Sequence, residues 1–200
     1  RLLDISVPSA PSDQGSVGAA DARAVAVDGD YAYVANGADG LRSISFSSIP
    51  PLIEDFVMND HNEYIKNVAV SSNYAYLADE QFGLVIVDRF DPSGMKEVGR
   101  VETEKPHAVV VRGSYAYMAD GPGGLRIINI ANPASPTLVG TLPTTGPVVD
   151  VAVAGNLVYL AEKEIGLRVV NVANPSAPLL VGLINTPGIV SGVTYDENAL

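Results

Sequence analysis

Hydrophobic residues in this chain come in short bursts, each stopped by a cluster of Gly, Pro, Asn or Ser. A stretch past the middle shows the rhythm. Ala108-Val109-Val110-Val111 runs into Arg112-Gly113-Ser114, where glycine supplies the positive φ that a tight hairpin needs. Tyr115 to Ala119 follows, then the glycine-rich Asp120-Gly121-Pro122-Gly123-Gly124, then Leu125 to Ile130. Asn132-Pro133 ends that run, because proline cannot donate to a ladder and restricts the residue before it. Thr137 to Leu142 completes the set. Runs of this length, rich in Val, Ile and Tyr, predict strands, and none carries a helical period. Short connections make consecutive strands antiparallel neighbours. The stretch therefore predicts a four-stranded antiparallel meander.

The same stretch recurs. Tyr31-Ala32-Tyr33-Val34-Ala35 returns as Tyr74-Ala75-Tyr76-Leu77-Ala78, as Tyr115-Ala116-Tyr117-Met118-Ala119 and as Leu157-Val158-Tyr159-Leu160-Ala161. From Tyr33 the steps are 43, 41 and 42 residues. Gly40-Leu41 recurs at Gly83-Leu84, Gly124-Leu125 and Gly166-Leu167 with the same steps. Two markers in one register define a repeat of about 42 residues with four strands each, the size of a β-propeller blade. The first strand of each unit is apolar on both faces: Val68 and Val70 alternate with Ala69, and Val151 and Val153 with Ala152. Such a strand is covered on both sides, so the units must stack. The expected fold is all-β, a propeller or partial propeller in one repeat domain over 1–200, with blade units near 23–64, 65–105, 106–147 and 148–189. Partial units fall at 1–22 and 190–200. Residues 1–11 align with the third-strand stretch 168–178, and Val193 to Leu200 aligns with Val151 to Val158, so the chain stops as a second strand begins. Two readings follow: a piece of a longer propeller, or a five-bladed ring closed by the terminal strands. Further blades or domains of the same parent chain are the expectation under the first.

Composition narrows the partners. The formal net charge is -11, which repels phosphate backbones and anionic membrane surfaces, so neither nucleic acid nor membrane insertion is expected. There are no cysteines, which removes disulfides, zinc–thiolate sites and cysteine nucleophiles. No stretch reaches the ~20 apolar residues of a membrane helix. No signal peptide is visible, and the chain opens in mid-pattern at Arg1. No motif for a cofactor stands out.

The repeats resemble the LVIVD-repeat family. The matching residues are Gly83-Leu84-Val85-Ile86-Val87-Asp88, Gly124-Leu125-Arg126-Ile127-Ile128-Asn129 and Gly166-Leu167-Arg168-Val169-Val170-Asn171, with the flanking Tyr-Ala-Tyr and Asn-Pro elements. Unit one departs at Ser43-Ile44-Ser45-Phe46 and has Ile49-Pro50-Pro51 in place of Asn-Pro. The resemblance implies a prokaryotic propeller scaffold, exported or at the cell surface, and brings no catalytic residue with it.

Candidate chemistry divides into positions that obey the repeat and positions that break it. Asn36, Asp79, Asp120 and Glu162 follow each second strand. They are expected to accept backbone hydrogen bonds ahead of Gly-Leu, rather than to ring a metal. Asp28-Gly29-Asp30 reads as a hairpin turn, and neither it nor Asp55 to Asp60 has the ligand spacing of an EF-hand. Tyr33, Tyr76, Tyr117 and Tyr159 read as blade core rather than as a ladder for sugars. The varying positions are Arg23, Lys66, His107, Val149 and Ser191 before each first strand, followed by Ala24, Asn67, Ala108, Asp150 and Gly192. In a propeller these reach the rim of the central channel. Arg23, Lys66, His107 and Asp150, with His61 and Glu63 from the polar loop 59–64, form the candidate ligand site. The expected function is a non-catalytic scaffold that binds protein or glycan. The alternative is a glycan- or peptide-acting hydrolase or lyase at the channel mouth, for which Asp60, Glu63 and Asp150 would be the carboxylates.

Overall fold

A computed structural model describes residues 2–47, 52–56, 64–91 and 94–195, with 52–56 as backbone. Every regular element among them is a strand. β1 (Leu2–Asp4) and β2 (Ser12–Gly15) pair as a two-stranded sheet. Four four-stranded antiparallel sheets follow, each a meander. The first blade holds β3 (Ala24–Asp28), β4 (Tyr31–Ala35), β5 (Leu41–Ser45) and β6 (Leu52–Phe56). The second holds β7 (Ile65–Ser71), β8 (Tyr74–Asp79), β9 (Gly83–Asp88) and β10 (Lys96–Val101). The third holds β11 (Ala108–Arg112), β12 (Tyr115–Ala119), β13 (Leu125–Asn129) and β14 (Thr137–Leu142). The fourth holds β15 (Val148–Ala154), β16 (Leu157–Glu162), β17 (Gly166–Asn171) and β18 (Leu179–Asn185). The fold is an all-β propeller of four-stranded antiparallel blades.

Hairpins between first and second strands are two-residue turns, closed by the pairs Asp28↔Tyr31, Ser71↔Tyr74, Arg112↔Tyr115 and Ala154↔Leu157. Gly29, Gly113 and Gly155 take positive φ there, and so does Ser72 in the second blade. The Asp28-Gly29-Asp30 stretch is thus a hairpin turn. Residues 186–195, aligned in part with a first strand, form no strand.

The core lies between blades rather than within them. Strand period two sends Tyr33, Ala35 and Leu41 of the first blade against Val68, Ala75, Leu77, Val85 and Val87 of the second. The opposite faces of the second blade, with Tyr76, Ala78, Leu84 and Ile86, meet Ala116, Met118, Ile128 and Ile130 of the third. Tyr117, Ala119, Leu125 and Ile127 then meet Val151, Val158, Leu160 and Val170 of the fourth. In the second and third blades Tyr76 with Ala78, and Tyr117 with Ala119, therefore face the next blade, and Ala75 with Leu77, and Ala116 with Met118, the previous one. Tyr33, Tyr76 and Tyr117 are buried core residues and Tyr159 is half-buried, so they form no exposed ladder. The first strands touch one another in turn, β3 to β7 to β11 to β15, and so line the inner side of the blade array.

Fourth strands are fastened differently. Gly99 and Gly140 stand where a Cβ would come within 2.2 Å of the Pro133 carbonyl oxygen and within 1.9 Å of that of Pro175. Each glycine thus makes room for the Asn-Pro turn of the following blade. Gly182, at the same place in β18, meets only Val169 side-chain carbons at 3.6 and 3.7 Å. The three sit at bulges, seen as register shifts in β9–β10, β13–β14 and β17–β18. Gly140→Ala should therefore destabilise the protein by about 2 kcal/mol through overpacking. Gly182→Ala should change stability by no more than about 0.5 kcal/mol. Urea unfolding of the two variants checks the contrast, and equal costs would contradict the turn-in-glycine contact.

Candidate functional site

One end of the propeller carries two sets of loops: those leading from a fourth strand into the next first strand, and those joining second to third strands. In three of the four blades the buried acid or amide after the second strand ties the sets together. The Asn36 side-chain carbonyl accepts from the Asp21 amide at 3.0 Å. Asp120 accepts from the amides of Glu104 and Lys105 at 3.0 and 2.8 Å. Glu162 accepts from the Gly146 amide at 2.6 Å. In the second blade Asp79 turns to its own loop and takes the amides of Gln81 and Phe82 at 2.9 and 3.0 Å. All four side chains are buried; Asp79 accepts within the turn ahead of Gly-Leu, as expected of all four, whereas Asn36, Asp120 and Glu162 accept from the loop before the first strand instead. Among the described residues no three His, Asp or Glu side chains gather as metal ligands.

Two of these clamps carry a second partner. Arg126 donates to Asp120 at 2.8 Å, and Arg168 donates to Glu162 from Nε at 2.7 Å and Nη2 at 2.6 Å. Both arginines follow the Gly-Leu marker, where the second blade has Val85. The charges that obey the repeat are therefore spent on the scaffold.

The varying positions build something else. Arg23 pairs with Asp21 at 2.8 Å, and its guanidinium lies 4.8 Å from the centroid of the Tyr64 ring. Lys66 Nζ lies 5.5 Å from the same ring and 2.9 Å from Glu80 Oε2. Lys105 Nζ reaches the other carboxylate oxygen, Glu80 Oε1, at 3.1 Å. Half-buried His107 packs against the Cα of Gly121, whose absent Cβ would sit 3.3 Å from the imidazole Cδ2 and 3.4 Å from Nε2. A strip from Asp21 to His107 thus crosses the first three blades.

Electrostatics follows the pairing. The Arg23 hydrogen bond holds the Asp21 carboxyl below its ordinary range. Lys66, against partial burial and with help from Lys105, does the same for Glu80. Burial first, then the charges of Lys66 and Lys105, holds His107 below the usual histidine value, with Glu80 and Asp120 opposing. These surroundings favour the neutral imidazole.

Of the sequence candidates, the structure joins Arg23, Lys66 and His107. Asp150 stands apart: its carboxylate accepts from the amides of Val151 and Val193 at 2.9 and 2.8 Å, tying residues beyond β18 to the fourth blade. His61 and Glu63 lie outside the described residues. Sequence reasoning missed Glu80 and Lys105. Glu80 occupies the loop position held by Gly37, Gly121 and Lys163 in the other units, so its departure was a usable signal. A cavity of about 700 Å³ opens on the face of the first blade, lined by Arg23 with Val17, Ala22, Val25, Val27 and Phe46 among others, so it meets the strip at Arg23.

The family model for the LVIVD repeat matches residues 19–44, 64–103, 105–144 and 145–186. The chain belongs to the LVIVD-repeat family. Solved structures share its fold. The computationally designed Ika8 protein aligns at 10% identity and TM-score 0.68, over 87% of this chain and 52% of that one. Designed Ika4 aligns at 10% identity and TM-score 0.67, over 81% of this chain and 99% of that one. Apo AztD from Citrobacter koseri aligns at 17% identity and TM-score 0.62, over 87% of this chain and 50% of that one. This LVIVD-repeat chain thus spans about half the length of Ika8 and of AztD. No curated protein matches it in sequence.

The clamp makes a measurable prediction. Glu162→Ala leaves Arg168 buried and unpaired and should cost about 3 kcal/mol. Adding Arg168→Leu should recover at least about 1 kcal/mol of that. Urea unfolding of the two singles and the double checks it, and strictly additive costs would show the pair uncoupled.

Proposed function

We propose that this chain is a non-catalytic binding scaffold, displayed outside the cell or on its surface, that takes a protein or glycan partner at the end of the propeller carrying Arg23, Tyr64, Lys66, Glu80, Lys105 and His107. One observation carries the reading. At that end the repeating acids are buried in loop clamps, whereas the side chains that depart from the repeat form a partly exposed strip across three blades. Scaffold chemistry repeats because every blade needs it. A recognition surface on a pseudo-symmetric frame has to break the repeat.

The same contacts support binding over turnover. Asp120 is committed to two amides and Arg126, and Glu80 to two lysines. Of the carboxylates expected for turnover, Asp150 accepts from two backbone amides, and Asp60 and Glu63 lie outside the described residues. His107 feels the charges of Lys66, Glu80, Lys105 and Asp120, and no nucleophile motif stands near it in the sequence.

The test uses the whole chain on glycan and peptide arrays, with parallel cleavage assays with and without divalent metal. Discrete ligands should bind without product release. The combined Tyr64→Ala and Lys66→Ala variant should weaken that binding at least about tenfold, the size of one hot-spot side chain. Product release, or binding untouched by the variant, would overturn the proposal.

A further inference from the structure

We propose that the strip contains a specific oxyanion subsite formed by Lys66, Lys105 and His107, and that the group it takes is the carboxylate or sulfate of a single acidic sugar residue. This rests on the reading of that end as the binding face.

The charge balance is the first argument. The chain has 23 acidic side chains against 12 basic ones. On such a molecule a local positive excess is the exception. Glu80 brings the ammoniums of Lys66 and Lys105 to one carboxylate, at 2.9 and 3.1 Å. An ammonium has three donors, so each lysine keeps some after bonding to Glu80. Among the described residues, the two ammoniums share this one carboxylate. Lys66 and Glu80 are largely covered and Lys105 is about half exposed, which leaves the spot open to a ligand on the Lys105 side.

The second argument is His107. Its neighbours with charge are Lys66 and Lys105, which oppose protonation, and Glu80 and Asp120, which favour it. Asp120 lies buried in its clamp beneath the loop, and Gly121 covers one edge of the ring. An oxyanion placed between the two ammoniums offsets the two charges that oppose protonation. Binding and proton uptake are therefore linked: each favours the other.

Two features choose the carrier. Tyr64, about half exposed, offers an aromatic surface beside Lys66, suited to the C–H face of a pyranose. The overall charge of -11 repels a long polyanion, so one charged residue in an otherwise neutral glycan fits better than a run of them.

The experiment follows the His107 ring signals by NMR; His61 is the other histidine of the chain, and a His107→Gln variant assigns the signals. Sodium sulfate is titrated against sodium chloride at equal ionic strength, at pH 7.5 and pH 5.5. Sulfate should shift His107 saturably, raise its pKa and bind several-fold tighter at pH 5.5. A Lys66→Gln, Lys105→Gln double variant with unchanged thermal midpoint should lose the effect. An equal response to chloride, or a response that survives in the double variant, would overturn the subsite. Digalacturonate is then compared with its neutral digalactoside and with a Glu-Glu dipeptide. Digalacturonate should bind tightest; a dipeptide that matches it would refute the sugar assignment. The outcomes separate cleanly from those of the array experiment. Array binding that needs Tyr64 and Lys66, with no sulfate effect, would leave the face and remove the subsite. Sulfate binding with array ligands indifferent to Tyr64 and Lys66 would do the reverse.

Discussion

A sheet that is apolar on both faces cannot satisfy itself, and that constraint organises this molecule. Each of the three core clusters straddles a pair of neighbouring blades. The second strand shows how one sequence serves two interfaces: in Tyr74-Ala75-Tyr76-Leu77-Ala78, Ala75 and Leu77 face the first blade, and Tyr76 and Ala78 the third. A blade therefore gains its stability only in company, and the faces at the two ends of the array stay apolar. Val25 and Val27 on the first blade are 62% and 61% exposed, and Leu180 and Ile184 on β18 are exposed as well.

Superposed on the one-blade repeat is an alternation with a period of two. β7 and β15 are seven residues long with a bulge near their start, while β3 and β11 are five residues and regular. Gly37 and Gly121, at positive φ, bridge to the first residues of β7 and β15, Ile65 and Val148. Asn67 and Asp150, one on each longer strand, accept from the amides of Val109 and Val193 in the next unit. The shorter strands carry alanine at that place, Ala24 and Ala108. Junctions thus alternate between a backbone bridge and a side-chain acceptor. This explains why Asp150 left the candidate site: its carboxylate is engaged in joining units.

The strand order, the blade length and the tyrosine core were legible because they repeat, and a repeat averages away local noise. Gly99, Gly140 and Gly182 repeat as well, at steps of 41 and 42, yet their purpose was hidden. It depends on where the following blade's Asn-Pro turn arrives, which no strand pattern encodes. Arg89 was also invisible. It occupies the place of Phe46, Ile130 and Val172, and its guanidinium bonds the Ser72 carbonyl of its own blade and reaches across the interface to Asp28 and, at 3.0 Å, to the Tyr33 hydroxyl. Ser72 stands at positive φ where three other blades have glycine, and Arg89 bonds its carbonyl. Such a contact joins three loci far apart in sequence, and only coordinates bring them together.

The candidate site marks the same boundary from the other side. Departure from the repeat located Arg23, Lys66 and His107, because a residue that breaks pseudo-symmetry is not needed by the blade. It could not say which departures would touch. Lys66 and Lys105 belong to the start of the second blade and the approach to the third, and they meet because Glu80, on a loop between them, presents both carboxylate oxygens. The charge of a residue is legible in sequence, but its partner is set by how two loops converge at one end of adjacent sheets. That convergence is dictated by the interface cores beneath. Recognition in this fold is thus a by-product of packing: the apolar faces fix where the loops stand, and the few side chains released from clamp duty decide what those loops can hold.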